Sequence, residues 1–160
     1  MPDTRSRLRH HLPSGPFIVA LAVLVAILLA AFIWFGMYNI AANDPHSRPI
    51  FALLENLRDR SIAVHARGVT PPADLETPDH VAAGAGLYAE MCQGCHLGPG
   101  VEKTEISQGL YPQAPELAKA TDLTPAQQFW IIKHGVKLSA MPAWGKTRAD
   151  PLIWDMVAFL

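Results

Sequence analysis

The sequence contains only two cysteines in 160 residues, Cys92 and Cys95. Both belong to one short motif, so no cysteine is left over to form a structural disulfide. A strong net charge is also absent, because 13 lysines and arginines stand against 14 aspartates and glutamates. No basic run occurs beyond the N-terminus, and the composition therefore gives no support for nucleic-acid binding. The length allows one domain with an appendage rather than two full domains.

Long uncharged stretches are scarce, and the one that occurs covers residues 17–38. As a helix it would span roughly 33 Å, enough for the hydrocarbon core of a membrane. Trp34 and Tyr38 lie near its far end, where amphipathic rings favour the headgroup region. A buried core helix rarely runs this long without a polar face, and a secretory signal has a shorter apolar region. Residues 40–42 are a poor cleavage site, so we predict an uncleaved transmembrane anchor within residues 1–42.

The residues before this stretch predict its orientation. Three arginines and two histidines precede it: Arg5, Arg7, Arg9, His10 and His11. Positively charged residues are typical of the cytoplasmic side of a membrane helix. The chain after Asn43 is therefore expected on the opposite side.

Residues 43–78 form a linker that contains an amphipathic segment. Prolines interrupt the chain at both ends of the linker. Between them, apolar residues recur at helical spacing and predict a helix over residues 49–67: Ile50, Leu53, Leu54, Leu57 and Val64. This helix either packs on its own domain or lies on the membrane or on a partner subunit. The periodicity alone leaves these alternatives open.

The sequence Cys92-Gln93-Gly94-Cys95-His96 is typical of c-type haem attachment. Two thiols three residues apart on a helical turn can each form a thioether to one haem vinyl group, and the adjacent imidazole is then held beneath the iron. A Cys-x-x-Cys pair could also be a redox dithiol or half of a zinc site. A zinc site would need a second cysteine pair, and a thioredoxin-like motif would need a βαβ context. The sequence has neither, which favours one covalently bound haem c.

Residues 79–160 predict a small helical domain around this motif. A helix from Asp79 to Met91 carries Gly84 on the same face as Tyr88, and another begins at Asp150-Pro151. These two helices are expected to cross closely at Gly84. Thr124-Pro125 begins a third helix that ends at Gly135. Residues 101–113 show no regular period and are predicted to be a loop.

Met141 lies in a loop rich in proline and glycine, 45 residues beyond His96. A methionine usually fills a gap in the core, but in a loop it would contribute little to core packing. Its thioether could approach the iron from the face opposite His96. His134 is the competing ligand, although its place at a helix end favours a capping or surface role.

The pattern resembles a class I cytochrome c over residues 79–160. The matching residues are Gly84, Tyr88, Cys92, Cys95, His96, Pro115-Glu116-Leu117, Met141-Pro142 and Ala158-Phe159-Leu160. The resemblance implies an all-α fold in which His96 and Met141 coordinate the haem iron. It also implies a prolyl carbonyl that accepts from the His96 imidazole, and this maps onto Pro115, with Pro112 as a nearby competitor. Tyr111, Trp144 and Trp130 are candidates for the haem pocket wall or for a propionate donor.

The expected function is one-electron transfer by a membrane-anchored, mono-haem cytochrome c. By analogy with the family, it would stand on the periplasmic side of a bacterial cytoplasmic (inner) membrane, between a quinol-oxidising complex and a terminal oxidase. Two other classes of function stay open. The chain could be a permanent haem subunit of a membrane dehydrogenase or oxidase complex. It could instead be a haem sensor or enzyme, which would need an open or labile coordination position.

Overall fold

A computed structural model describes residues 13–119 and 121–160. Their regular elements are helices, with no strand in this part of the chain, and the predicted all-α fold class is confirmed. The helices are α1 (Gly15–Trp34), α2 (Arg48–His65), α3 (Pro78–Met91), α4 (Gln93–His96), α5 (Glu105–Gly109), α6 (Pro125–His134) and α7 (Asp150–Phe159), with short 3-10 turns at Ala66–Gly68 and Trp144–Lys146. The chain divides into two compact units, residues 1–41 and 42–160.

The first unit contains α1, which is long and apolar enough to cross a membrane by its length and composition. None of its residues is buried. The helix ends four residues earlier than the uncharged stretch, because Gly36 adopts a left-handed conformation with φ of 58°. The N–H groups of Gly36 and Met37 then bond back to Ile33 and Phe32, the pattern of a Schellman cap. The arginines and histidines used to predict the orientation lie outside the described residues.

The second unit is organised around the crossing of α3 and α7. A Cβ atom on Gly84 would lie 1.9 Å from the carbonyl oxygen of Asp155, so the two backbones touch where the sequence predicted. Helix α6 packs on α7 from another side, and the Phe129 and Trp154 rings stack with centroids 4.1 Å apart. The core includes the buried side chains of Leu75, Tyr88, Cys92, Phe129, Ile132, Ile153, Trp154, Met156 and Val157.

The linker helix α2 begins and ends close to the predicted limits. Its C-terminal half packs on α6, where Ile62 and the following Ala66 are 5% and 4% exposed. On another face, Leu53 and Leu57 remain 68% and 64% exposed. The structure therefore places one face on its own domain and leaves a second apolar face uncovered.

The prediction of a loop over residues 101–113 is wrong in part, because it contains the short helix α5. The Thr104 side chain accepts from the N–H of Ser107, which caps the first turn. A helix of five residues is too short to display a period, so the sequence pattern could not reveal it. The start of α6 agrees with prediction, since Thr124 and Gln127 form a reciprocal capping box.

Candidate haem site

Both cysteines and His96 belong to one helical turn at the end of α3. The N–H groups of Cys95 and His96 donate to the carbonyl of Cys92 at 3.1 and 2.9 Å. Cys92 is buried, Cys95 is half-buried, and both thiols are free. Burial, and to a smaller extent Cys95, raises the pKa of the Cys92 thiol to about 11. A redox dithiol needs a cysteine with a lowered pKa, so the surroundings of Cys92 disfavour that alternative.

The His96 ring is oriented by one backbone contact. Its Nδ1 atom lies 2.8 Å from the carbonyl oxygen of Pro115. A carbonyl can only accept, so Nδ1 carries the proton and Nε2 keeps its lone pair for a metal ion. Histidines that bind metals commonly use their second nitrogen in this way. The contact falls on Pro115 and not on Pro112, as the resemblance implies, while the role of His96 as an iron ligand stays a prediction.

Side-chain hydrogen bonds fix the backbone within the motif and directly after it. The Tyr88 hydroxyl donates to the carbonyl of Leu97 at 2.5 Å, and Leu97 has a left-handed φ of 59°. Burial, with a smaller contribution from Cys92, raises the pKa of Tyr88 and keeps its hydroxyl protonated as a donor. The Thr104 hydroxyl donates to the carbonyl of Gly94 at 2.6 Å. The motif region is thus tied to α3 through Tyr88 and to the start of α5 through Thr104.

Met141 lies in the loop that follows α6 and packs against the hydrophobic core. The N–H of Val136 donates to its carbonyl at 3.2 Å, and its own N–H donates to the Ser139 hydroxyl at 3.2 Å. A Cβ atom on Gly135 would lie 2.7 Å from the Met141 carbonyl oxygen. The loop is therefore folded tightly onto the end of α6, with the Met141 side chain half-buried.

The aromatic candidates occupy different places. Trp144 lies in the 3-10 turn after Met141 and packs against the core, whereas Tyr111 lies in the loop that leads to Pro115. The Tyr111 hydroxyl accepts a hydrogen bond from the N–H of His46 at 2.8 Å, a contact across 65 residues. Sequence reasoning missed His46 because no local pattern connects the linker with this loop. A role of Tyr111 and Trp144 in the haem pocket stays a prediction.

Residues 79–160 match the family described as Cytochrome C oxidase, cbb3-type, subunit III. The chain belongs to this family. The predicted resemblance to a c-type cytochrome is confirmed, and the chain takes part in electron transfer by means of haem c. No curated protein and no solved structure matches the chain.

The residues of the site fit a c-type haem. The two free thiols lie on the same turn as His96, and the proton on Nδ1 leaves Nε2 open for a metal. Cys92 and Cys95 would hold the porphyrin, and His96 and Met141 would hold its iron. When bound, the haem supplies one-electron exchange between ferric and ferrous iron. Within residues 13–119 and 121–160, no group of three or more His, Cys, Asp or Glu side chains could hold a separate metal ion.

Proposed function

We propose that this cytochrome carries single electrons on one haem, attached by thioethers to Cys92 and Cys95 and ligated by His96 and Met141. The proposal depends mainly on the position of His96. Its Nδ1–H donates to the Pro115 carbonyl, and it lies on the same helical turn as both thiols. Two protein ligands leave the iron no open position for a substrate. The chain is then an electron carrier and not an enzyme by itself.

The proposed route runs from a quinol-oxidising complex to a terminal oxidase. Ligation by a thioether favours ferrous iron and raises the reduction potential, which suits an acceptor of electrons from such a complex. Helix α1 supports a single-pass membrane anchor. The proposal places the haem domain on the periplasmic side of a bacterial cytoplasmic (inner) membrane, as the arginines before α1 predict.

A permanent haem subunit of a membrane-bound oxidase or dehydrogenase complex is the second candidate. The family description supports it, because it names a subunit of an oxidase. The uncovered apolar face of α2, with Leu53 and Leu57 largely exposed, also supports it. Such a face suits a stable contact with a partner subunit or with lipid.

The test begins with purification of the full chain from its native membranes in mild detergent. We expect the haem to survive acid–acetone extraction, because thioethers are covalent. We also expect the reduced protein to bind carbon monoxide poorly at neutral pH. The protein should be reduced by a quinol-oxidising complex and reoxidised by a terminal oxidase in stopped-flow mixing.

Each result separates one alternative. Loss of haem on extraction would contradict the thioether attachment. Ready binding of carbon monoxide would indicate a haem sensor or enzyme with an open position. Recovery in fixed stoichiometry with oxidase or dehydrogenase subunits would select the permanent-subunit candidate over the mobile carrier.

A further inference from the structure

We propose that residues 46–66 of the linker form one wall of the haem crevice and are not merely a tether. In this inference, which rests on the proposed roles of His96 and Met141, α2 bridges the loop that orients His96 and the helix that supports Met141. It predicts that the linker sets the solvent access and the reduction potential of the haem.

The start of the wall is fastened to the loop on the His96 side. The N–H of His46 donates to the Tyr111 hydroxyl at 2.8 Å, and the two rings meet edge to face with centroids 5.3 Å apart. Tyr111 lies four residues before Pro115, whose carbonyl accepts from the His96 ring. The beginning of the linker therefore contacts the loop that sets the orientation of this ligand.

The end of the wall is fastened to the helix on the Met141 side. Ile62 and Ala66 are buried where α2 and its following 3-10 turn contact α6. The His65 ring lies 5.6 Å from the Trp130 ring on α6. The same helix ends at Gly135, which packs against the Met141 backbone. The far end of the linker thus contacts the element that supports the opposite ligand.

In the proposed arrangement, an iron ligated by His96 and Met141 would lie beside the linker, between these two attachments. An 18-residue helix such as α2 is about 27 Å long. Near its start, the linker and the Tyr111 loop together line an open surface groove of about 460 Å³, formed by Pro45, His46, Arg48, Phe51 and Tyr111. A wall in this position would keep water from one haem edge, and electrons would leave by another edge.

The test uses the full-length holoprotein with two variants that loosen the wall. Ile62→Asp places a charge at the buried contact with α6, and Tyr111→Phe removes the acceptor for the His46 N–H. Leu57→Asp is the matched control, because it adds the same charge on the exposed face of the same helix. Ile153→Ala, in the fully buried core of α7, controls for general loss of stability.

Two haem properties are measured in the oxidised protein: the rate at which added imidazole replaces the methionine ligand, and the midpoint potential. We expect imidazole replacement to be about tenfold faster in Ile62→Asp, because the buried contact is lost. We expect it to be about fivefold faster in Tyr111→Phe, because one hydrogen bond is lost. The potential should fall in both variants, and both controls should resemble the wild type.

Wild-type imidazole rates and potentials in Tyr111→Phe, or in a folded Ile62→Asp, would overturn the inference. If Ile62→Asp does not fold, Tyr111→Phe alone decides. Imidazole replacement that is equally fast in Ile153→Ala would also overturn the inference, because the faster rate would then come from general loss of stability. Failure of the proposed function is a different result: the wild type itself would lack covalent haem or a sulfur-to-iron absorption band.

Discussion

At the scale of single residues, two glycines allow the Met141 loop to lie directly on the end of α6. Gly135 has φ of 67°, and a Cβ atom there would lie 2.7 Å from the Met141 carbonyl oxygen. A Cβ atom on Gly145 would lie 2.7 Å from the side chain of Lys133. A residue with a Cβ atom is disfavoured at both positions because it would be too close to neighbouring atoms. At Gly135 the left-handed backbone conformation disfavours it as well. Backbone contacts position the loop, and its half-buried Met141 side chain, which packs against the core, is the proposed iron ligand.

Replacement of Met141 tests this role at the residue itself. We predict that Met141→Ala abolishes the weak far-red sulfur-to-iron band of the oxidised protein and lowers its midpoint potential, because a thioether favours ferrous iron. Met156→Leu is the matched control, since Met156 is 1% exposed in the core and a swap of similar volume is tolerated. An unchanged band in Met141→Ala would point to His134 or another ligand.

At the scale of elements, the crossing of α3 and α7 depends on the missing side chain of Gly84. We predict that Gly84→Ala lowers the free energy of unfolding by about 1–3 kcal/mol or more, because its methyl group would collide with the backbone at Asp155. Gly86 lies on the same helix, and a Cβ atom there would meet no neighbouring element within 4 Å. Gly86→Ala should therefore stabilise the protein by roughly 0.5–1 kcal/mol. Denaturant unfolding measures both, and equal effects would contradict a close crossing.

The same pair of helices is joined by an ion pair that depends on pH. His80 Nδ1 on α3 lies 2.5 Å from Asp155 on α7, and its Nε2 lies 3.7 Å from Asp74. The hydrogen bond to Asp155, and less strongly Asp74, raises the pKa of His80 above its usual value of 6.5. The folded state therefore binds this proton more tightly than the unfolded state does.

We predict that this contribution to stability is fully present below about pH 6.5 and is lost as the pH rises through the raised pKa of His80. His80→Gln should remove this part of the pH dependence, and Asp74→Asn should remove less of it. Denaturant midpoints measured from pH 5.5 to 8.5, in steps of about half a unit, provide the comparison. The same pH profile in His80→Gln and the wild type would refute the assignment.

The features that the sequence predicted are those with a local cause. Thr124, Pro125 and Gly135 mark the ends of α6 through capping and backbone conformation, and Gly84 marks a close approach. The end of α1 differed from prediction because hydropathy alone gave no weight to the left-handed Gly36.

Contacts between distant residues could not be predicted in this way. The bond from His46 to Tyr111 spans 65 residues, and the pair of His80 with Asp155 spans 75. Neither pair has a spacing or composition that distinguishes it from other polar residues of the sequence. The motif predicted the chemistry of Cys92, Cys95 and His96, but the place of the linker beside the haem domain emerges only from the folded chain.

At the scale of the whole molecule, the apolar helix and the cytochrome belong to separate compact units. The described contacts of the buried core lie within residues 42–160. A chain that begins at Ala42, exported by a cleavable signal, should therefore attach haem normally. It should also keep the sulfur-to-iron band and the unfolding free energy of the full chain.

Electron transfer should respond differently to removal of the helix. We predict that the chain beginning at Ala42 accepts electrons from a membrane-bound donor more slowly at micromolar concentration, because a tether can supply an effective concentration of about millimolar. Added excess of this chain, or fusion to an unrelated membrane helix, should restore the rate if the protein is a mobile carrier. The measurement is haem reduction in membranes that lack the native chain. A reduction rate that is the same with and without the helix would show that anchoring does not matter. If neither excess chain nor the fused membrane helix restores the rate, α1 itself docks the chain as a permanent subunit.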